Sequence, residues 1–237
     1  MSIVKEFIEY THDGSLTFEG ALMYKSEISG KTPCVMVFHS FLGRGEFDLK
    51  VAERLANLGY VAFAADVFGK GVLAKEREEA MKLMQPFLAD RCGLLKNHLH
   101  AAITAVSQHE KVDEDKLIAI GYCFGGLCVL DMARFGWNLR GVVSFHGLLS
   151  DNGAAANIRK DTKVLVLHGY DDHLVKPDQL AKFCQEMDDA QVDWQVHSYG
   201  GVGHAFTLPH WAQSYVERAD QRSWQAMKNF LEEIFGF

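Results

Sequence analysis

The sequence lacks a basic footprint. Its 24 Lys and Arg stand against 31 Asp and Glu, giving a formal net charge of −7 and a pI near 5.9. That balance argues against nucleic acid or an anionic membrane surface as the main partner. It also lacks a long apolar run. Met1 to Phe7 has none of the extended hydrophobic region of a signal peptide, and no later stretch approaches the length of a membrane span, so a soluble cytoplasmic protein is expected. Paired cysteine spacing is missing too. Cys34, Cys92, Cys123, Cys128 and Cys184 form an odd set, which fits free thiols in a reducing compartment better than a disulfide framework. Four of the five are expected simply to pack. No internal repeat, low-complexity tract or linker interrupts the chain. With 48% hydrophobic residues it can bury a sizeable core, so residues 1–237 are read as one domain. The pattern says nothing of oligomeric state.

What is present alternates. Residues 4–10 and 16–24 are short apolar runs joined by Thr11-His12-Asp13-Gly14, which predicts an antiparallel hairpin. Cys34 to His39 is a continuous apolar run of the kind found in a parallel strand covered on both faces. A helical pattern carrying Val51, Leu55 and Leu58 follows, then the strand-like run Tyr60 to Ala65, completing a β-α-β unit. Residues 73–109 are helical in character, with Pro86 and Asp90 expected to divide them into two helices. Strands ending at Ile120, His146, His168 and Ser198 alternate with helices, the last from about Ser214 to Ile234. The fold class is α/β, with a mostly parallel central sheet, an antiparallel N-terminal hairpin and helices on both faces.

The chain is organised around Gly121-Tyr122-Cys123-Phe124-Gly125-Gly126. A β-rich run leads in and a helix-compatible run leads out, so the segment reads as strand, tight turn, helix with Cys123 at the turn. Small residues two before and two after the reactive side chain are what such an elbow needs, because strand and helix backbones come close there. The helix start also directs N–H groups and a positive dipole end at the thiol. A general base and an orienting acid are available downstream. Asp171 and Asp172 lie just past the strand ending at His168, and His204 lies in the glycine-rich loop Tyr199 to Phe206. Nucleophile, acid, histidine is the chain order of an α/β-hydrolase.

These segments together, Gly-Tyr-Cys123-Phe-Gly-Gly, Gly169-x-x-Asp172-x-x-Val175 and Gly203-His204-Ala205-Phe206, resemble the dienelactone hydrolase family from His39 to the C-terminal helix. The resemblance implies the α/β-hydrolase fold, with Cys123 as nucleophile, His204 as base and Asp172 as the orienting acid. It also implies the backbone N–H groups of Phe124 and Phe41 as the oxyanion hole, and no cofactor. It departs at two positions. Ser40 stands where dienelactone-hydrolysing members carry a glutamate, and Thr207 and Leu208 follow Phe206 where those members carry an arginine for the substrate carboxylate. Arg44 and Arg91 are the candidates to replace that arginine. Hydrolysis of a small-molecule ester, lactone or thioester is implied, rather than of dienelactone in particular.

Blander readings stand beside these. His39, His146 and His168 end apolar strands, where a histidine is usually a hydrogen-bonded structural residue. His98 and His100 fall on different faces of a helix and read as packing or surface residues. The run His168 to His173 contains metal-ligand chemistries but no second histidine motif to support a metal, and none is expected. Trp137, Trp194, Trp211 and Trp224 are assigned to the core rather than to a pocket. Two other functions remain open: an acyl transferase using the same residues, and a non-catalytic binding protein or thiol redox sensor that kept the fold.

Overall fold

The computed structural model describes residues 2–209 and 211–236. The chain forms two compact units that join between Ala119 and Ile120, inside strand β5 (Val112–Tyr122). In the first unit, β1 (Ile3–Thr11) and β2 (Thr17–Lys25) pair antiparallel, from Ile3 opposite Lys25 to Thr11 opposite Thr17. This is the expected hairpin. β2 pairs antiparallel with β4 (Val61–Ala65), and β4 pairs parallel with β3 (Thr32–Phe38). β3 and β4 are buried almost throughout, as their unbroken apolar runs require of parallel strands covered on both faces. α1 (Glu46–Asn57) buries Val51, Ala52, Leu55 and Ala56 against this layer.

The region 73–109 forms two α-helices divided at Asp90 as expected, but not at Pro86. α2 spans Arg77–Ala89 with Pro86 inside it, a π-helical turn covers Arg91–Leu95, and α3 spans Lys96–Ser107. Pro86 does not end α2 because it lies on the exposed face with Lys82, whose carbonyl loses its helical partner where water can replace it. Asp90 makes the break, its carboxylate accepting from the N–H groups of Gly93 and Leu94. Residues 73–76 are not helical.

In the second unit, β6 (Gly141–Phe145), β7 (Lys163–Gly169) and β8 (Asp193–Tyr199) run parallel in that order. α4 (Phe124–Arg134) is buried along its whole length, α5 spans Pro177–Ala190, and a short 3-10 turn at Ala155–Asn157 was not predicted. α6 (Glu217–Phe235) starts three residues after the expected Ser214, because Val216 is extended. Among the described residues the strands follow the order β1-β2-β4-β3-β5-β6-β7-β8. With six α-helices this is the α/β-hydrolase fold: a mixed, mostly parallel sheet with antiparallel strands at its N-terminal side. No described helix is long and apolar enough to cross a membrane.

Two side-chain expectations need correction. Cys34 and Cys128 are buried and Cys184 half-buried, but Cys92 is exposed, so not all four pack. All four tryptophans are half-buried rather than core residues. One reason is visible at Trp194, whose indole N–H donates to Asp188 at 2.9 Å near the surface.

The fully buried Arg134 fixes the chain after β6. Its Nε and Nη2 donate to both carboxylate oxygens of Glu186 on α5 at 2.7 and 2.8 Å. Nη1 donates to Asp131 and to the Ser150 carbonyl, and Nη2 also to the Leu149 carbonyl. All five donors are used. Arg134→Met is expected to cost about 3–5 kcal/mol, because it strands two carboxylates rather than replacing the network as a whole. Urea unfolding checks this, and a change below about 1 kcal/mol would contradict it.

Burial pushes the imidazoles of His39, His98, His146 and His168 below their ordinary range. These rings stay neutral in the folded chain at pH values where the unfolded chain charges them. Their contribution is therefore intact above about pH 6.5 and is lost as pH falls through the depressed folded values. Each ring adds a slope of up to about 1.4 kcal/mol per pH unit in that window. Stability measured from pH 7 to 5 is expected to fall steeply, and a flat profile would show that these rings charge without penalty.

Candidate active site

The backbone is strained at the elbow. β5 ends at Tyr122, α4 begins at Phe124, and Cys123 between them has φ 56° and ψ −110°, a conformation rare for residues with a Cβ. Its N–H donates to the Phe145 carbonyl at 3.0 Å and its carbonyl accepts from Leu127 at 3.2 Å, tying it to β6 and to the first turn of α4. The turn closes only with glycine. A Cβ on Gly121 would lie 2.1 Å from the Gly125 carbonyl oxygen, and one on Gly126 2.7 Å from the Gly147 Cα. Cys123 itself is half-buried, at a helix end whose first N–H groups lack intrahelical acceptors and whose dipole favours negative charge.

His204 lies between β8 and α6. Val202 and Phe206, two residues to either side, are buried against Ala219 of α6, and the Val216 N–H donates to the Phe206 carbonyl at 3.0 Å. Both ends of the histidine loop are thus pinned. Asp172 is held in the turn after β7, where its Oδ1 accepts from the Leu174 N–H at 2.8 Å. The two loops are laced together. The Asp171 N–H donates to the Val202 carbonyl at 2.9 Å, and a Cβ on Gly169 would lie 2.5 Å from the carbonyl oxygens of Val202 and Gly203.

These supports bring three candidates into line. His204 Nδ1 lies 2.8 Å from Asp172 Oδ2, and His204 Nε2 lies 3.1 Å from Cys123 Sγ. Asp172 is buried, whereas Asp171 is exposed. Burial alone would lower the His204 imidazolium, but its bonds to Asp172 and Cys123 override that and hold it at about 10. The ring therefore carries a proton at neutral pH, with Nδ1–H donating to the carboxylate and Nε2–H facing sulfur.

The two oxyanion candidates fall in different units. Phe124 is the first residue of α4 and fully buried; Phe41 is buried in the turn after β3 in the first unit. Of the replacement arginines, Arg44 donates to Glu19 at 2.9 Å. His39 is hydrogen-bonded to the backbone through both ring nitrogens, to Ser40 and Val67, and His98 to the Val67 carbonyl. Among the described residues, no three His, Cys, Asp or Glu side chains are grouped to hold a metal ion.

His146 is, as expected, a buried hydrogen-bonded residue at a strand end, but its ring also lies 5.2 Å from that of His204 in an edge contact that the sequence did not reveal. The available signal was its place past the C-terminal end of a parallel strand, where ligand sites of open α/β sheets gather.

Comparison with known proteins gives the family. Residues 18–235 match the dienelactone hydrolase family. The chain belongs to that family. It is a hydrolase of the dienelactone hydrolase family and the α/β-hydrolase fold. A dienelactone hydrolase-like promiscuous phosphotriesterase from metagenomic libraries is 33% identical, superposes with a TM-score of 0.92, and is covered over 99% of both chains. The carboxymethylenebutenolidase of Pseudomonas putida is 28% identical over 94% of each chain. An uncharacterised protein of Caenorhabditis elegans is 38% identical over 62% of this chain and 98% of its own.

Proposed function

We propose that this dienelactone hydrolase-family chain, acting as one domain, hydrolyses an ester, lactone or thioester with an uncharged acyl part through an acyl-enzyme on Cys123. The observation that carries the reading is the line Asp172 Oδ2, His204, Cys123 Sγ, with contacts of 2.8 and 3.1 Å. Sulfur, its proton held on His204, attacks the carbonyl carbon and the C=O electrons move to oxygen. The oxyanion is received by the backbone N–H of Phe124 at the start of α4, a donor worth about 3 kcal/mol when well placed. As the tetrahedral species collapses, His204 Nε2 gives its proton to the leaving oxygen or sulfur. His204 then takes a proton from water, whose oxygen attacks the thioester, and the acid leaves as Cys123 sulfur is regenerated. Asp172 holds Nδ1–H and so fixes the ring's tautomer throughout.

The uncharged acyl part is supported by two side chains. Leu208 is buried and apolar where an arginine would be needed, and the Nη2 of Arg44 is paired with Glu19, so position 208 offers no cation to a carboxylate and Arg44 is partly neutralised. The relatives' names add lactones and phosphotriesters to the classes worth assaying. The test is a panel of p-nitrophenyl acetate, an uncharged five-membered lactone, a thioester and a dialkyl aryl phosphate, with a carboxylate-bearing lactone for comparison. Higher kcat/KM on the uncharged lactone than on its carboxylate analogue supports the reading, and the reverse order refutes it. Transfer to added alcohol outpacing hydrolysis would favour the acyl transferase. No turnover with rapid oxidation of Cys123 would favour the redox sensor.

A further inference from the structure

Among the described residues, four non-glycine residues have positive φ: Cys123, His146, Gln191 and Ala205. Gln191 caps the end of α5. The other three are the candidate nucleophile, the residue after the candidate base, and His146 with φ 40°. Strained backbone of this kind persists where surrounding structure imposes it, and it collects at functional sites. Its presence at His146, which the mechanism above does not use, sets that residue apart from His39 and His168.

The surroundings of His146 explain what holds it. It follows β6, and its N–H donates to the Leu167 carbonyl of β7 at 2.9 Å. The fully buried ring makes edge contacts at 5.2 Å with both His204 and Phe206, and a tilted contact at 6.1 Å with Tyr122. It therefore touches the elbow strand and the histidine loop together. Nε2 lies 2.8 Å from Thr207 Oγ1, while the buried Nδ1 makes no hydrogen bond among the described residues. Orphaned buried N–H groups are rarer than orphaned acceptors, which favours the tautomer with the proton on Nε2 as donor to Thr207. Burial, and next the charge of His204, push the His146 imidazole well below its ordinary range. A second cation beside the protonated His204 is thus avoided.

We propose that His146, anchored by Thr207, is a positioning residue that fixes the His204 ring plane and so keeps Nε2 aimed at Cys123. The proposal rests on the acyl-enzyme reading for its catalytic consequence, but not for its geometry. The titratable groups around His204 are Asp172 and Cys123, bonded to it, His146 at 5.2 Å, His173 at 6.3 Å between ring centres, and the neutral His168, on which the charge of His204 acts. Only His146 combines a ring contact with full burial.

The test compares Thr207→Val, which keeps shape and removes the anchor, with His146→Phe, which keeps a ring but not the donor, and His146→Gln, whose Nε2 can still reach Thr207. Thermal midpoints are recorded for all three. Ester kinetics and the pH profile of iodoacetamide alkylation at Cys123 are then measured. Thr207→Val and His146→Phe are expected to lower kcat by about 10-fold, the scale of a small misalignment, with KM within about 2-fold. The basic limb of alkylation, set by loss of the His204 proton, should move down by about one pH unit because a loosened ring holds its proton less well. His146→Gln should recover part of both. Folded Thr207→Val with wild-type kcat and an unmoved limb would overturn the proposal, as would lowered stability with neither effect. If the wild type turns over no ester, the acyl-enzyme reading fails, while the alkylation profiles still decide the positioning role.

Discussion

Cys123→Ala is expected to lower kcat for p-nitrophenyl ester hydrolysis by about 10⁴-fold or more while leaving KM within about 3-fold, as removal of a triad nucleophile does. Cys123 Sγ is the atom that faces His204 Nε2 at 3.1 Å, and alanine supplies nothing to carry the acyl group. The oxyanion donor is a backbone N–H group and survives the substitution, so residual turnover above the uncatalysed rate should remain. The fold should also survive. Alanine must adopt the same φ of 56° as Cys123, so the elbow's strain is unchanged. The His204 proton should be held less tightly, since one of the two bonds that keep it at about 10 is gone. Steady-state kinetics at pH 7 and 9 check this. A variant within about 10-fold of wild type at both would remove the thiol from the chemistry.

Gly121→Ala is expected to be the most damaging single methyl in the chain. The added Cβ would stand 2.1 Å from the Gly125 carbonyl oxygen, 2.2 Å from its carbon and 2.8 Å from the Gly126 nitrogen. All three are backbone atoms, so no side chain can rotate away, and strand and helix must separate at the elbow. We expect destabilisation of about 3 kcal/mol or more, in the tail of point-mutant effects that arises from forced backbone shifts. Protein that still folds should lose about 100-fold in kcat, because a shift of about 1 Å in Cys123 breaks its alignment with His204. Urea unfolding with kinetics on the folded fraction separates the two effects. A stable, fully active variant would mean that the turn has slack its geometry denies.

The elbow was legible in the sequence because its constraint is local. The glycine two before Cys123 is dictated by the contact between β5 and the Gly125 backbone of α4, and that contact needs nothing distant to be known. The β3 and β4 runs and the hairpin were legible for a similar reason, since burial on both faces writes itself as unbroken apolar sequence. Pro86 misled because proline's effect depends on whether the orphaned carbonyl meets water, and exposure at Lys82 is not written in the neighbouring residues. The start of α6 was missed by three residues because Val216, apolar and in phase with the helix, is extended and donates its N–H to the Phe206 carbonyl instead. The contact of His146 with His204 was not legible because the ring's partners, Thr207 and His204, lie 61 and 58 residues away in sequence. Spacing to Gly169 and Val175 favours Asp172 over Asp171 in the sequence alone; in the turn after β7 it is the buried carboxylate, bonded to His204, while Asp171 is exposed.

Acyl transfer to the thiol can be seen directly. Wild-type protein mixed with p-nitrophenyl acetate, quenched in acid within milliseconds and digested, should yield the peptide containing Cys123 with one acetyl group. The label should build before steady state, disappear on further incubation, and be absent in Cys123→Ala. Steady turnover with no acetyl on Cys123 at any time, or with the acetyl on another residue, would contradict a thioester intermediate at the elbow.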